Sequence, residues 1–288
     1  MCARLAYLNA GTLGPLPRRS GEATVRWTRR LVEEGRSSKA LFKELLALRE
    51  TVRAEIAALL NAPDGSLALT TATTDGCNIV VTGLGIDPGD EVVTTDSEHP
   101  GLFGALLASG ATLRIADIRE RPAAEALGLL EQQISERTRL VALSHVSWLT
   151  GAILPIKELA GRGIPLLVDG AQAAGAIPVD VQDLGCDFYT VSAQKWLLGP
   201  EATGALFVRP ERVEALRMTF PSYLSCSFRT TCRSPAQGGS IPAGFPPECS
   251  RASASRSRSR LKPVPSGFAM RAPWPIAAAS FWPPAALS

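Results

Sequence analysis

Histidine is scarce, with His99 and His145 the only two in 288 residues. Cysteine is scattered: Cys2, Cys77, Cys186, Cys226, Cys232 and Cys249 include no pair at CxxC spacing. That scatter indicates neither a zinc site nor a disulfide framework. No run of about 18 apolar residues occurs, so no transmembrane helix and no membrane partner are expected. The opening stretch, MCARLAYLNAGTLG, lacks a basic region followed by an apolar one, so no signal peptide is read there. A cytoplasmic location is the default expectation. Acidic residues run out before the chain does. Residues 1–224 hold 22 Lys+Arg against 26 Asp+Glu, and residues 225–288 hold 8 against 1. A change that abrupt marks a boundary.

What is present fits a soluble globular protein. Hydrophobic residues make up 45% of the chain and charged residues 20%, enough for a sizeable core. The length suggests one large domain, or one plus a smaller one. Turn residues crowd 7–15. Helical spacing predicts helices over 21–34 and 39–60, the second with Leu41, Leu45, Leu48, Val52, Ile56 and Leu59 on one face. Short apolar runs then predict strands near 67–70, 91–94, 112–115, 140–144, 165–168, 188–191 and 204–208. Helical candidates at 75–84, 100–109, 123–134 and 156–160 lie between most of them. Such alternation predicts an α/β fold with a mostly parallel sheet of seven strands and flanking helices. Ligands bind such sheets at the carboxyl ends of the strands.

The residues with chemistry follow strands. Lys195 stands just past a buried run, flanked by Ser192, Ala193 and Gln194 before it and Trp196, Leu197 and Leu198 after it. A desolvated lysine has a lowered pKa, and its neutral amine attacks carbonyls. The competing reading is a lysine snorkelling to the surface. Asp169 ends the apolar run 166–168 and wants a cationic or proton-donating partner, or else caps the next turn. Thr73 and Thr74 open a helix, where hydroxyls and free N–H groups hold a phosphate or simply cap. His99 sits at a strand-to-helix turn, placed to stack on a flat ligand or to be a surface histidine. His145 reads as a core histidine or a site residue.

Six segments in order resemble the aminotransferase class V family of pyridoxal-phosphate (PLP) enzymes. They are LNAGTLGPLP at 8–17, TTATTDGCN at 70–78, SEHPG at 97–101, SHVSWLTGAILPI at 144–156, VDGAQAAGAIPVD at 168–180 and FYTVSAQKWLLGP at 188–200. The family includes cysteine desulfurases, selenocysteine lyases, isopenicillin-epimerase-like proteins and related C–S lyases. The resemblance covers about 5–224 and implies the large domain of PLP fold type I, with 1–20 as an N-terminal active-site segment and 21–224 as the cofactor-binding body. It implies Lys195 as the Schiff-base lysine, Asp169 as partner of the pyridine nitrogen and Gln172 beside the ring's 3-oxygen. His99 would stack on the ring. Thr73, Thr74 and Ser192 would hold the phosphate, with Gln194 nearby where many relatives carry histidine. Ser147 falls where desulfurases usually carry asparagine. Asn9 and Gly11 would border the substrate pocket. A small-molecule amino-acid substrate and a homodimer follow as expectations.

The pattern stops near residue 224, where the family continues into a small C-terminal domain. Residues 225–288 are rich in Ser, Arg, Pro and Ala, and 251–260 reads RASASRSRSR. A disordered segment, a nucleic-acid-binding arm and an out-of-frame translation of a GC-rich gene all yield such a composition. The break within a few residues favours the third, so the small domain is expected to be absent and no nucleic-acid partner is assigned. The expected activity is that of a PLP-dependent lyase or transferase, such as a cysteine desulfurase or C–S lyase. The alternatives are an aminotransferase or epimerase of the same family, or a catalytically inactive truncated remnant.

Overall fold

A computed structural model of the chain describes residues 6–221. The boundary expected near 224 and the 225–288 tail lie outside the described residues. Two long helices come first, α1 (Arg18–Glu34) and α2 (Lys39–Leu59). Ser38 starts α2, its hydroxyl accepting from the Leu41 N–H at 3.0 Å. The alternation follows: β1 (Leu67–Thr70), α3 (Thr73–Gly83), β2 (Glu91–Thr95), α4 (Pro100–Ser109), β3 (Thr112–Ala116), α5 (Ala126–Glu131), β4 (Thr138–Ser144), α6 (Ile156–Leu159), β5 (Leu166–Asp169), α7 (Val181–Leu184), β6 (Phe188–Ser192) and β7 (Gly204–Val208).

The seven strands form one sheet in the order β1-β7-β6-β5-β4-β2-β3. All neighbouring pairs are parallel except those of β7, which runs antiparallel to β1 and β6. Both faces of the sheet are covered, which explains why its strands read as continuous apolar runs. Alternate residues feed two cores: Val141, Leu143, Leu166, Val168 and Tyr189 pack on one side with Leu60, Leu130 and Ile156. Leu140, Ala142, Leu167 and Phe188 pack on the other with Val80, Leu102 and Leu106.

One predicted element differs and one is added. The stretch 123–134 is a 3-10 turn (Ala123–Glu125) followed by the shorter α5. The short α7 was not anticipated; the Asp180 carboxylate caps it by accepting from Gln182 and Asp183 N–H groups, both at 2.9 Å. Four residues are too few to show a helical period, so only the cap was there to signal it. Among the described residues no helix is long and apolar enough to cross a membrane, and no cluster of His, Cys, Asp and Glu suits a metal ion.

Candidate active site

The carboxyl ends of β2, β4, β5 and β6 share one edge of the sheet, and the loops leaving them carry the candidate residues. Lys195 stands in the turn after β6, half-buried. Burial lowers its pKa, with the Asp169 charge opposing. The turn is braced by Gly199 N–H donating to Ala193 O at 2.8 Å and Leu198 N–H donating to Lys195 O at 3.1 Å. Leu198 takes a left-handed φ of 55°, a strained conformation for a branched side chain.

Asp169 is the last residue of β5 and is buried. Its Oδ1 accepts the Ala171 N–H at 2.9 Å. Burial raises its pKa, opposed by that N–H and by the charges of Lys195 and His99. Among the described residues no ion pair involves Asp169. A buried carboxylate without a bonded cation is costly, and a cationic ligand group relieves that cost.

His99 is the N-cap of α4. Its Nδ1 accepts the Gly101 N–H at 3.0 Å, which assigns the ring proton to Nε2. Burial, then the Lys195 charge, lowers its pKa and favours the neutral ring. Trp148 meets it edge-on, centroids 5.4 Å apart and planes at 82°.

The start of α3 is built to receive an anion. Its N-cap is Ala72, which has no side-chain acceptor. Asp75 instead reaches back to the Thr71 N–H at 3.0 Å. The Thr73 N–H donates to the Ser192 hydroxyl at 3.0 Å, tying α3 to the end of β6. The Thr74 hydroxyl comes so near the His99 turn that a Cβ on Gly101 would stand 2.5 Å from it. Backbone donors, a helix N-terminus and three hydroxyls thus gather where a phosphate is favoured.

The remaining expected residues frame this centre. The Gln172 amide donates to Gly11 O at 2.9 Å and accepts from the Trp196 indole at 2.7 Å. The Gln194 backbone oxygen accepts the Gly14 N–H at 2.7 Å. Among the described residues its side-chain Oε1 is buried without a partner; an amide flip would present an N–H donor there instead. Only glycine fits at 14, because a Cβ there would stand 2.1 Å from Lys195 O. Asn9 is exposed and accepts from the Thr12 hydroxyl at 2.8 Å. Ser147 is buried, its oxygen accepting the Leu149 and Thr150 N–H groups, each at 3.3 Å. His145 takes the core-histidine reading: it is buried with Nδ1 2.9 Å from the Tyr189 hydroxyl.

One residue escaped the sequence reading. Glu98, beside His99, is buried and accepts from the Ser144 N–H at 2.9 Å, the Ser144 hydroxyl at 2.6 Å and the Thr95 hydroxyl at 2.7 Å. It clamps the end of β2 to the end of β4, one strand from Asp169. Nothing local marked it: Asp96 and Ser97 separate Glu98 from the end of β2, and its partner Ser144 lies on another strand.

Pyridoxal phosphate fits these residues. The unpaired Asp169 suits a protonated ring nitrogen, the α3 start suits a phosphate and the partly desolvated Lys195 suits an aldehyde. The model of the aminotransferase class-V family matches residues 10–229. The chain belongs to that family. It is 33% identical over 246 residues to an isopenicillin N epimerase from Streptomyces clavuligerus, covering 82% of this chain and 59% of that one. It is 33% identical over 225 residues to a cysteine desulfurase from Enterobacter sp. strain 638, covering 74% and 55%. Among solved structures it resembles the cystine C–S lyase C-DES in complex with cysteine persulfide, with a TM-score of 0.73, 31% identity, and coverage of 81% and 65%. A variant of C-DES with glycine covalently linked to its PLP cofactor matches at 30% identity and the same TM-score. The class V chain therefore has the mostly parallel sheet of PLP fold type I, and its family implies pyridoxal phosphate. It spans less than two thirds of each of these relatives.

The class V site carries a pH signature. Burial pushes Glu98 up to about 7, against its hydrogen bonds to Ser144 and Thr95. Between its ordinary 4.5 and that value, the folded chain keeps a proton that the unfolded chain releases. Stability from Glu98 therefore falls as pH rises, by about 3 kcal/mol in all. His145, pushed down to about 4 by burial, acts oppositely: the unfolded chain binds the proton below 6.5, so its term rises with pH. The two offset each other between about 4.5 and 6.5. Asp169 adds to the first and His99 to the second. Glu98→Gln is expected to gain up to about 3 kcal/mol from pH 4.5 to 6.5 while the parent stays flatter. Urea unfolding at the two pH values checks this; parallel curves for the two proteins would contradict it.

Proposed function

We propose that this chain is the cofactor-binding part of a PLP-dependent class V enzyme that acts on a small amino acid bearing sulfur, as a cysteine desulfurase or C–S lyase. The observation that carries the reading is the meeting of three loops at one carboxyl edge of the sheet: Asp169 ends β5, Lys195 follows β6 and His99 follows β2. Pyridoxal phosphate, when bound, supplies an electron sink next to the substrate Cα.

The chain's own residues divide the work. Lys195 would supply the amine that holds the cofactor, and the same amine would take and return the proton at the substrate Cα. Its half-burial favours the neutral, nucleophilic amine. Asp169 keeps the proton on the ring nitrogen, the charge its buried site demands. His99, neutral and steadied by Gly101 and Trp148, packs against the ring face. The α3 start, with Thr73, Thr74 and Ser192, holds the phosphate beside Gln194. Gln172 keeps one amide N–H for the ring's 3-oxygen, with Ser147 nearby. Asn9 and Gly11 border the substrate pocket.

An epimerase is the second reading, favoured by the match to isopenicillin N epimerase over 82% of the chain. A homodimer belongs to both readings: Trp148, Leu149 and Ile153 leave apolar surface exposed beside the His99 turn. Sedimentation of the purified chain as a monomer would remove that part. Turnover decides the rest. With added PLP and cysteine or cystine, release of sulfide, persulfide or pyruvate is expected. Inversion at Cα without sulfur release would select the epimerase, and no change in any amino acid offered would select an inactive remnant.

A further inference from the structure

The segment 6–17 contains no helix or strand, yet it is held closely. Its turn is self-braced: Thr12 and Leu13 N–H groups donate to Asn9 O at 3.1 and 3.3 Å, and the Tyr7 hydroxyl donates to Leu13 O at 2.6 Å. Two bonds dock the turn on the body. Gly14 N–H reaches the backbone of Gln194, and Gly11 O accepts from the Gln172 amide.

The second bond depends on which way that amide faces. Nitrogen and oxygen of an amide are set by their partners. The Trp196 indole is a donor only, and it donates to Gln172 Oε1 at 2.7 Å. A flipped amide would face N–H against N–H at Trp196 and oxygen against oxygen at Gly11. The indole therefore decides that the amide donates toward the N-terminal turn. Trp196 itself follows Lys195 directly, so the lysine turn carries the group that orients the amide.

We propose that Trp196 is a positioning residue which, through the Gln172 amide, latches residues 9–14 over the lysine turn. The part of this inference that concerns bound cofactor rests on the proposed function. There the second amide N–H of Gln172 is the one offered to the ring's 3-oxygen, so a single amide ties cofactor contact to closure of the turn. Such coupling is reciprocal: the docked turn favours the bound cofactor, and the cofactor favours the docked turn.

Hydrogen exchange on the full chain, without and with PLP, tests this. Trp196→Phe keeps the ring and loses the donor. It is expected to speed exchange of residues 9–14 about 10-fold, the weight of one net hydrogen bond, while β5 and β6 stay protected. Gln172→Glu still accepts from Trp196 but cannot donate to Gly11 O, so it is expected to speed the same residues equally. The visible band of PLP bound to Trp196→Phe is expected to shift from the parent's. Unchanged exchange over 9–14 in Trp196→Phe overturns the latch, as does an effect of Trp196→Phe that Gln172→Glu does not share. If β5 and β6 also lose protection in Trp196→Phe, the variant has misfolded and Gln172→Glu decides alone. An unshifted band overturns the link to the cofactor. A parent that takes up no PLP sinks the proposed function, while the exchange without cofactor still decides the latch.

Discussion

Lys195→Ala is expected to lower turnover of whichever amino acid the parent accepts by about 10⁴-fold, the upper range for loss of a positioned proton-transfer group. Two proposed roles converge on this amine: holding the cofactor and moving the proton at Cα. Among the described residues no other lysine lies on the loops that leave the carboxyl ends of the strands. Lys157, the nearest candidate in sequence, is at the surface and paired with Asp183. Alanine removes the amine without adding bulk to a turn braced by backbone bonds at Ala193 and Leu198. The variant should therefore fold as the parent does. Steady-state rates with saturating PLP check the prediction. A variant that keeps a tenth of the parent's rate would mean that another group does the chemistry.

Asp169→Asn separates the demands of folding from those of function. In the chain without cofactor, Asp169 is a buried acid whose pKa is raised chiefly by burial. Such a group contributes stability below its ordinary pKa and loses it as pH rises toward the folded value. Asparagine has the same shape and no charge to bury, so the variant without cofactor is expected to be as stable as the parent or more so at neutral pH. PLP affinity moves the other way. A protonated ring nitrogen facing a neutral amide loses its buried counter-charge, a loss of about 3–5 kcal/mol when one partner of a buried pair is removed. Binding is then weaker by about 10²–10⁴-fold. Fluorescence titration with PLP and thermal unfolding of the same two samples give both numbers. Equal PLP affinity in parent and variant would show that Asp169 does not meet the ring.

Much of this was legible in the sequence, for a physical reason. A sheet covered on both faces needs apolar runs, and those runs locate β4, β5 and β6 almost to the residue. Their carboxyl ends then place Asp169, Ser192 and Lys195 without further information. The antiparallel direction of β7 does not show in its apolar run, and the only hint was the lack of a helical candidate between it and β6. Helix boundaries were blurred where capping is unusual. The α3 start lies at Thr73 with Ala72 before it, and Asp75, which resembles a cap, instead reaches backward to Thr71. Long-range pairings were the least visible. Glu98 bridges to Ser144 across 46 residues, and Gln172 meets Gly11 across 161. Nothing local in the sequence marks such partners, since each exists only once the sheet has formed. Trp196 read as one more apolar neighbour of the lysine, yet its indole N–H gives it a definite partner.

The most direct test of the account is to reduce the PLP-loaded chain with borohydride and map the modified peptide. The account predicts a single phosphopyridoxyl group on Lys195, absent from Lys195→Ala. A folded chain that takes up no PLP, or one modified on a different lysine, would contradict the assignment of this sheet edge as the cofactor site.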